Sequence, residues 1–327
     1  FQVQTRSEDP VPFAQAIADN PYAGAWSSGG DLNTGRRFLN TAAGSGADSG
    51  LIAGGYTGSN SAAVEQYNGT AWTEKNDLNA ARRSMSTTGS VTAAITVGGV
   101  PPASDLTETW NGSSWTEVNE LNTARGNGTV VGTTTAALFS AGYSTTNVAN
   151  VESWNGSSWT ETGDVNTARS ELAASGTSTQ SLIIGGYTTT PVGNTESWDG
   201  SSWTETADLN QVRDGLGGST GGTYTSALVF GGSIPPETAK TESWDGSSWT
   251  EVADLASARR IMGGSGTATS ALSSGGYPTP LQANTEEWAF PPPTSAVLTE
   301  GDVFLSGGTA LKGFGKNAGI PSTTWAS

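Results

Sequence analysis

The stretch TESWDGSSWTETADLNQVR, running from Thr195 to Arg213, decides how the rest of the chain is read. It opens on Glu196-Ser-Trp198, turns at Asp199-Gly200, reaches a second aromatic at Trp203 and ends on Asp208-Leu-Asn-Gln-Val-Arg213. Every part of it recurs. The block ends in Arg36, Arg82, Arg125, Arg169, Arg213 and Arg259, a period of 43 to 46 residues. A Gly-Gly or Ala-Gly pair follows each Arg by 16 to 18 residues. Next come Glu65, Glu108, Glu152, Glu196, Glu242 and Glu286, each two residues before an aromatic that ends with Trp288 in the last copy. In five copies an Asn/Asp-Gly dipeptide then leads to Trp72, Trp115, Trp159, Trp203 or Trp249.

A period near 44 with four short β-like runs per unit predicts an all-β chain folded as a propeller, one four-stranded antiparallel blade per repeat. In the copy at 169–205, Arg169 to Ser175 is a small-residue inner strand and Gln180 to Gly185 an apolar second strand. Thr195 to Trp198 is the third strand, Asp199-Gly200 a two-residue hairpin turn, and Trp203 to Glu205 the outer strand. Six inner strands start, but the last repeat stops at Trp288 without an outer strand, and the first shows only its outer aromatic, Trp26. The strand around Trp26 is therefore expected to complete the last blade beside Trp288, closing six blades. A seventh blade is the rival count. Gly307-Gly308 imitates the pair, but it lies 32 residues after Gly275, short of the period.

Three segments result: an arm at 1–21, the propeller at 22–290, and a Pro-led extension at 291–327 with a β-hairpin around Glu300-Gly301-Asp302. The terminal Thr324-Trp325-Ala326-Ser327 echoes Ala25-Trp26-Ser27-Ser28. One reading is that a further domain begins there; the other is coincidence in a Ser- and Trp-rich sequence.

Composition narrows the function. The 327 residues include 45 Gly and 12 Trp, with no Cys and no His. Disulfides, thiolate or imidazole metal sites and Ser-His-Asp chemistry are thereby excluded, and neither a metal nor a cofactor is expected. A net charge of −16 argues against a nucleic-acid surface. No apolar run reaches the length of a membrane span.

The Gly pair, the aromatic some 12 residues on (Gly185-Gly186 to Trp198), the second aromatic at Trp203 and the turn from Asn210 to Arg213 resemble the kelch repeat family across 22–290. The near-identical Ser-Trp-Asn/Asp-Gly-Ser-Ser-Trp-Thr-Glu units are also similar in style to kelch arrays of marine bacteriophages. That resemblance implies a virion or extracellular location, in a fibre or tail appendage. Other virion proteins would be its partners in a multimeric assembly, with a host surface glycan or protein as a further one. Kelch-type propellers also carry a copper oxidase chemistry, whose ligands cannot be built without His or Cys.

Four repeated features have a structural and a functional reading. The six Arg could ring the mouth and bind anions, but one Arg and one Glu per blade in fixed register read better as inter-strand ion pairs locking blade to blade. The Trp set could stack on sugars, but reads better as packing between sheets. Ser197 to Trp203 imitates the Asp-box of sialidase-type propellers, with its Gly one place early. Asn68, Asn111 and Asn155 match a glycosylation sequon, but on turns.

The loops between the second and third strands vary most: 56–63, 100–107, 143–150, 187–194, 233–240 and 277–284. They carry Tyr56, Tyr143, Tyr187 and Tyr277, the Pro101-Pro102 and Pro235-Pro236 spacers, and only two acids of note, Asp105 and Glu237. These six Tyr, Asp and Glu residues are the candidate binding set, on the face shared with the connectors between blades. The expected function is a non-enzymatic structural or adhesive module presenting these loops. The alternatives are a lectin-like propeller, a purely architectural decoration, or, less favoured, a glycan-cleaving enzyme.

Overall fold

Small side chains are what let six inner strands converge on one axis. Ala43–Gly46 reads Ala-Gly-Ser-Gly and Gly263–Thr267 reads Gly-Gly-Ser-Gly-Thr. A Cβ on Gly264 would lie 2.6 Å from the main-chain nitrogen of Gly218 in the neighbouring inner strand. A computed structural model describes residues 24–278 and 280–290, and two backbone strands at Val303–Ser306 and Ala310–Gly313.

Within 24–290 the described residues form six four-stranded antiparallel sheets and no helix. Blade I consists of Ala43–Gly46, Ser49–Ala53, Val64–Tyr67 and Trp72–Lys75. Blades II to V follow at 86–118, 129–161, 173–205 and 217–252. Blade VI takes its three inner strands from 263–289 and its outer strand from Ala25–Ser28, which pairs antiparallel with Thr285–Ala289. Trp26 stands directly opposite Trp288, as the end-to-end closure requires. The Trp26 ring meets Trp288 at 5.4 Å and Phe230 of blade V at 4.9 Å.

The core lies between sheets. Leu51 and Val64 of blade I pack with Met85 of the following connector and with Ala94, Trp110 and Trp115 of blade II, and equivalent clusters recur around the ring. Facing aromatics of the third and outer strands stack within each blade, for example Trp198 and Trp203 at 5.2 Å. The outer Trp also reaches back one blade through its indole N–H. Trp72, Trp159, Trp249 and Trp26 donate to the hydroxyls of Thr285, Thr107, Thr195 and Thr241, the first residues of the preceding third strands.

The repeat Arg and Glu are buried, and all six pairs form. Arg125 meets Glu152 at 2.5 Å, and Arg169 meets Glu196 at 2.5 Å. Burial lowers the pKa of Arg36, Arg82, Arg125, Arg213 and Arg259, and the partner carboxylates oppose it. The pairs differ from the sequence expectation in one respect. The Arg sits in the connector, not on a strand, and its Glu belongs to the blade that this connector enters. The tie between blades is made by main chain: the carbonyls of Arg82, Arg125, Arg169, Arg213, Arg259 and Arg36 each accept an N–H from the second residue of the preceding blade's Gly pair. In five connectors an Asn adds to the lock. Asn166, for one, donates its amide to Glu196 at 2.8 Å and to the Trp203 carbonyl at 3.3 Å.

The Asp199-Gly200 turn is also a correction. Strands Thr195–Trp198 and Trp203–Glu205 are joined by four residues, and only Gly200 has positive φ, at 96°. Asp199 instead accepts the N–H groups of Ser201 and Ser202 at 2.8 Å, so a side chain closes the turn that a two-residue loop would close with backbone. These bonds hold the exposed Asp199 and Asp245 carboxyls down at about 2. Blades I to III use Asn at the same place.

The chain beyond Phe290 forms a separate unit, in which Val303–Ser306 pairs with Ala310–Gly313. The 1–21 arm, the Glu300-Gly301-Asp302 segment and the 324–327 echo lie outside the described residues.

Candidate functional site

One face of the disc is built from the connectors and the loops between second and third strands. A β-bridge couples them in every blade: the residue after the repeat Arg pairs with the residue after the Gly pair, giving Arg37 with Tyr56, Arg83 with Val100, Gly126 with Tyr143, Ser170 with Tyr187, Asp214 with Ser233 and Arg260 with Tyr277. The next residue in each connector faces the axis. Phe38, Ser84, Asn127, Glu171, Gly215 and Ile261 all adopt positive φ, between 49° and 60°. For a side-chain-bearing residue that conformation costs about 1–2 kcal/mol, so the surroundings must impose it. They do so with a ring of main-chain bonds. The N–H groups of Ser84, Asn127, Glu171, Gly215 and Ile261 each donate to the counterpart carbonyl one blade earlier, at 2.7–2.8 Å, and Leu39 closes on Ile261 at 3.4 Å. The ring fixes six backbone positions around the mouth, five of them bearing side chains, without specifying their chemistry.

That chemistry divides into three sectors. Between blades III and IV an open groove of about 710 Å³ is lined by Tyr143, Tyr187, Asn147 and several Thr, with Asn127, Ser170 and Glu171 on the axial side. Tyr143 and Tyr187 are 41% and 39% exposed, unusual for large side chains in this domain. Asn147 donates to the carbonyls of Tyr187 and Thr188, at 2.9 and 2.7 Å, while its side-chain oxygen and that of Asn127 are buried without partners. Burial raises the Glu171 pKa, and Arg260 opposes the shift.

Between blades V and VI, Arg260 lies 3.8 Å from Asp214 and 3.5 Å from Glu237. Asp214 is buried, and its carboxyl is pushed up to about 6, first by burial and then by the Glu171 charge, against the pull of Arg260. In the third sector, over blades VI, I and II, Arg37 and Arg83 lie on aromatic rings. The Arg37 guanidinium is 5.1 Å from Phe38, 5.3 Å from Tyr56 and 5.1 Å from Tyr277. That of Arg83 is 5.2 Å from Phe38 and 4.8 Å from Tyr56.

The candidate set is thus distributed. Tyr143 and Tyr187 share the groove, Tyr56 and Tyr277 serve the arginine ledge, and Glu237 pairs with Arg260. Asp105 stands apart. Its carbonyl accepts the Leu121 N–H at 2.9 Å, the register role that Ala62, Ala149, Gly193, Ala239 and Ala283 play in the other blades. Sequence reasoning missed Arg37, Phe38, Arg83, Asn127, Glu171, Asp214 and Arg260. The signal was present: the two columns after each repeat Arg vary as fully as the loops do. Among the described residues no group of three or more acidic side chains is placed to hold a metal ion.

These features define the chain as a six-bladed β-propeller with one chemically asymmetric face. It matches no protein-family model and no curated protein.

Proposed function

We propose that this propeller is a non-enzymatic recognition module, mounted with other virion proteins in a fibre or tail appendage and presenting its loop face to a host surface. The observation that carries the reading is the contrast between scaffold and face. Ion pairs, Gly-Gly or Ala-Gly pairs and aromatic stacks repeat in every blade, whereas the mouth is acidic on one side, basic on the other, and grooved between two exposed tyrosines. A scaffold that repeats this closely beneath a face that varies this much is organised for binding. Many copies would add weak contacts through effective concentration. The kelch and phage resemblances in repeat style support the setting.

A carbohydrate-recognising variant of this reading is favoured by the groove itself. Tyrosine rings offer stacking faces, and Asn127, Asn147, Ser170 and Thr side chains offer hydrogen bonds suited to a polyol. The test is competition: the isolated propeller should block attachment of whole particles to host cells. No competition at high concentration refutes recognition and favours a purely architectural role. Sugar released from surface polysaccharide would overturn the non-enzymatic reading.

A further inference from the structure

The chain carries 30 acidic and 14 basic residues, so an unneutralised cation needs an explanation. The scaffold consumes Arg36, Arg82, Arg125, Arg169, Arg213 and Arg259, while Arg260 and Lys240 have their own acidic neighbours. Among the described residues Arg37 and Arg83 are the two guanidiniums with no carboxylate within 4.0 Å. Both rest on the Phe38 and Tyr56 rings, and Arg37 also touches Tyr277. A ring face holds a guanidinium in place without neutralising it and leaves its N–H fork unused. The Nε of Arg37 is buried and without a partner. No scaffold role demands arginine here, because the same column holds Gly126, Ser170 and Asp214 in other blades.

We propose that Arg37 and Arg83 form a subsite for the carboxylate of an acidic saccharide, with Phe38, Tyr56 and Tyr277 holding the two guanidiniums in place. The inference rests on the recognition reading above and names a ligand class for that face. Planar, paired N–H donors match a carboxylate. The net charge of −16 disfavours approach of a dense polyanion such as a nucleic acid, whereas a sugar brings one charge per ring and a flat C–H face. The groove between blades III and IV, with its tyrosines, threonines and amides, lies on the same loop face.

The test is calorimetric titration of the full chain with trigalacturonate and with sialyllactose, against the methyl ester of each, and with hexaglutamate as a peptide control. The expected result is binding of at least one acidic saccharide about tenfold or more tighter than its ester. Arg83→Ala and Arg37→Ala abolish that preference, and Arg83→Lys, which keeps the charge and guards against a folding defect, restores part of it. Equal binding of acid and ester, unchanged preference in folded Arg83→Ala, or tighter binding of hexaglutamate would each overturn the subsite. Loss of the acid preference while the propeller still blocks particle attachment removes the subsite alone; loss of both removes the recognition reading as well.

Discussion

Trp115 is the outer aromatic whose indole N–H is buried without an acceptor. The cause is one residue on the neighbouring blade. Trp72, Trp159, Trp249 and Trp26 donate to a Thr hydroxyl at 2.9–3.2 Å, but the position facing Trp115 is Val64, which is fully buried. Val64→Thr replaces one methyl by a hydroxyl of similar size. Satisfying a buried orphan donor is worth about 1–3 kcal/mol. Losing a methyl and desolvating the hydroxyl take back roughly 1 kcal/mol. The net expectation is a gain of about 1 kcal/mol, or about 2 °C in melting temperature for a domain of this size. Blade III supplies the control. Val151 occupies the same register, but the Trp203 indole that faces it already donates to the Gly163 carbonyl at 3.0 Å. Val151→Thr therefore buries a hydroxyl with no donor waiting, and should cost about 1–2 kcal/mol. Calorimetry and urea unfolding of both variants beside the parent decide the matter. If Val64→Thr destabilises as much as Val151→Thr, the hydrogen-bond argument fails and the site is ruled by apolar packing.

Ala256 replaces the connector Asn in blade VI and keeps only its main-chain N–H bond to Glu286, at 2.7 Å. Ala256→Asn should restore the missing amide bonds and raise unfolding stability by about 1–2 kcal/mol in denaturant titrations. Arg169→Ala leaves Glu196 buried without its cation and should cost about 3–5 kcal/mol on the same assay, with unchanged stability refuting a structural role for the pair. Asp214 has a folded pKa of about 6, above its ordinary value of 3.8, so the folded state holds the proton more tightly and stability falls as pH rises between these values. Asp214→Asn should accordingly stabilise by about 1–2 kcal/mol at neutral pH and by nothing near pH 4; equal gains at both would refute the burial argument. Tyr143→Ala with Tyr187→Ala should leave melting unchanged, since both rings are exposed, yet remove competition with whole particles for cells.

The ring was legible because its parts answer to geometry that six blades share. Gly pairs, buried Glu and small inner-strand residues leave little choice of residue, so they recur, and the missing outer strand after Trp288 could be assigned to Trp26 by subtraction. The mouth was less legible for the opposite reason. Main-chain bonds fix Phe38, Ser84, Asn127, Glu171, Gly215 and Ile261 whatever side chain they carry, so no consensus marks them. Pattern alone also could not place the arginine within its blade. A constant Arg–Glu spacing is satisfied equally by two strands or by a connector and a strand, and only the fold tells which. Asp199-Gly200 misled because the same dipeptide serves both a two-residue turn and a longer loop closed by the carboxylate.

The seam at blade VI has a mechanical consequence. Ala25, where the chain enters its outer strand, lies opposite Ala289, where the chain leaves the neighbouring one. Tension applied to the polypeptide on either side of the disc therefore peels these strands apart from a shared end, loading their cross-links one after another instead of all together. A pull on both flanks of the propeller thus meets little resistance at blade VI, whereas a pull on one flank alone leaves that seam unloaded.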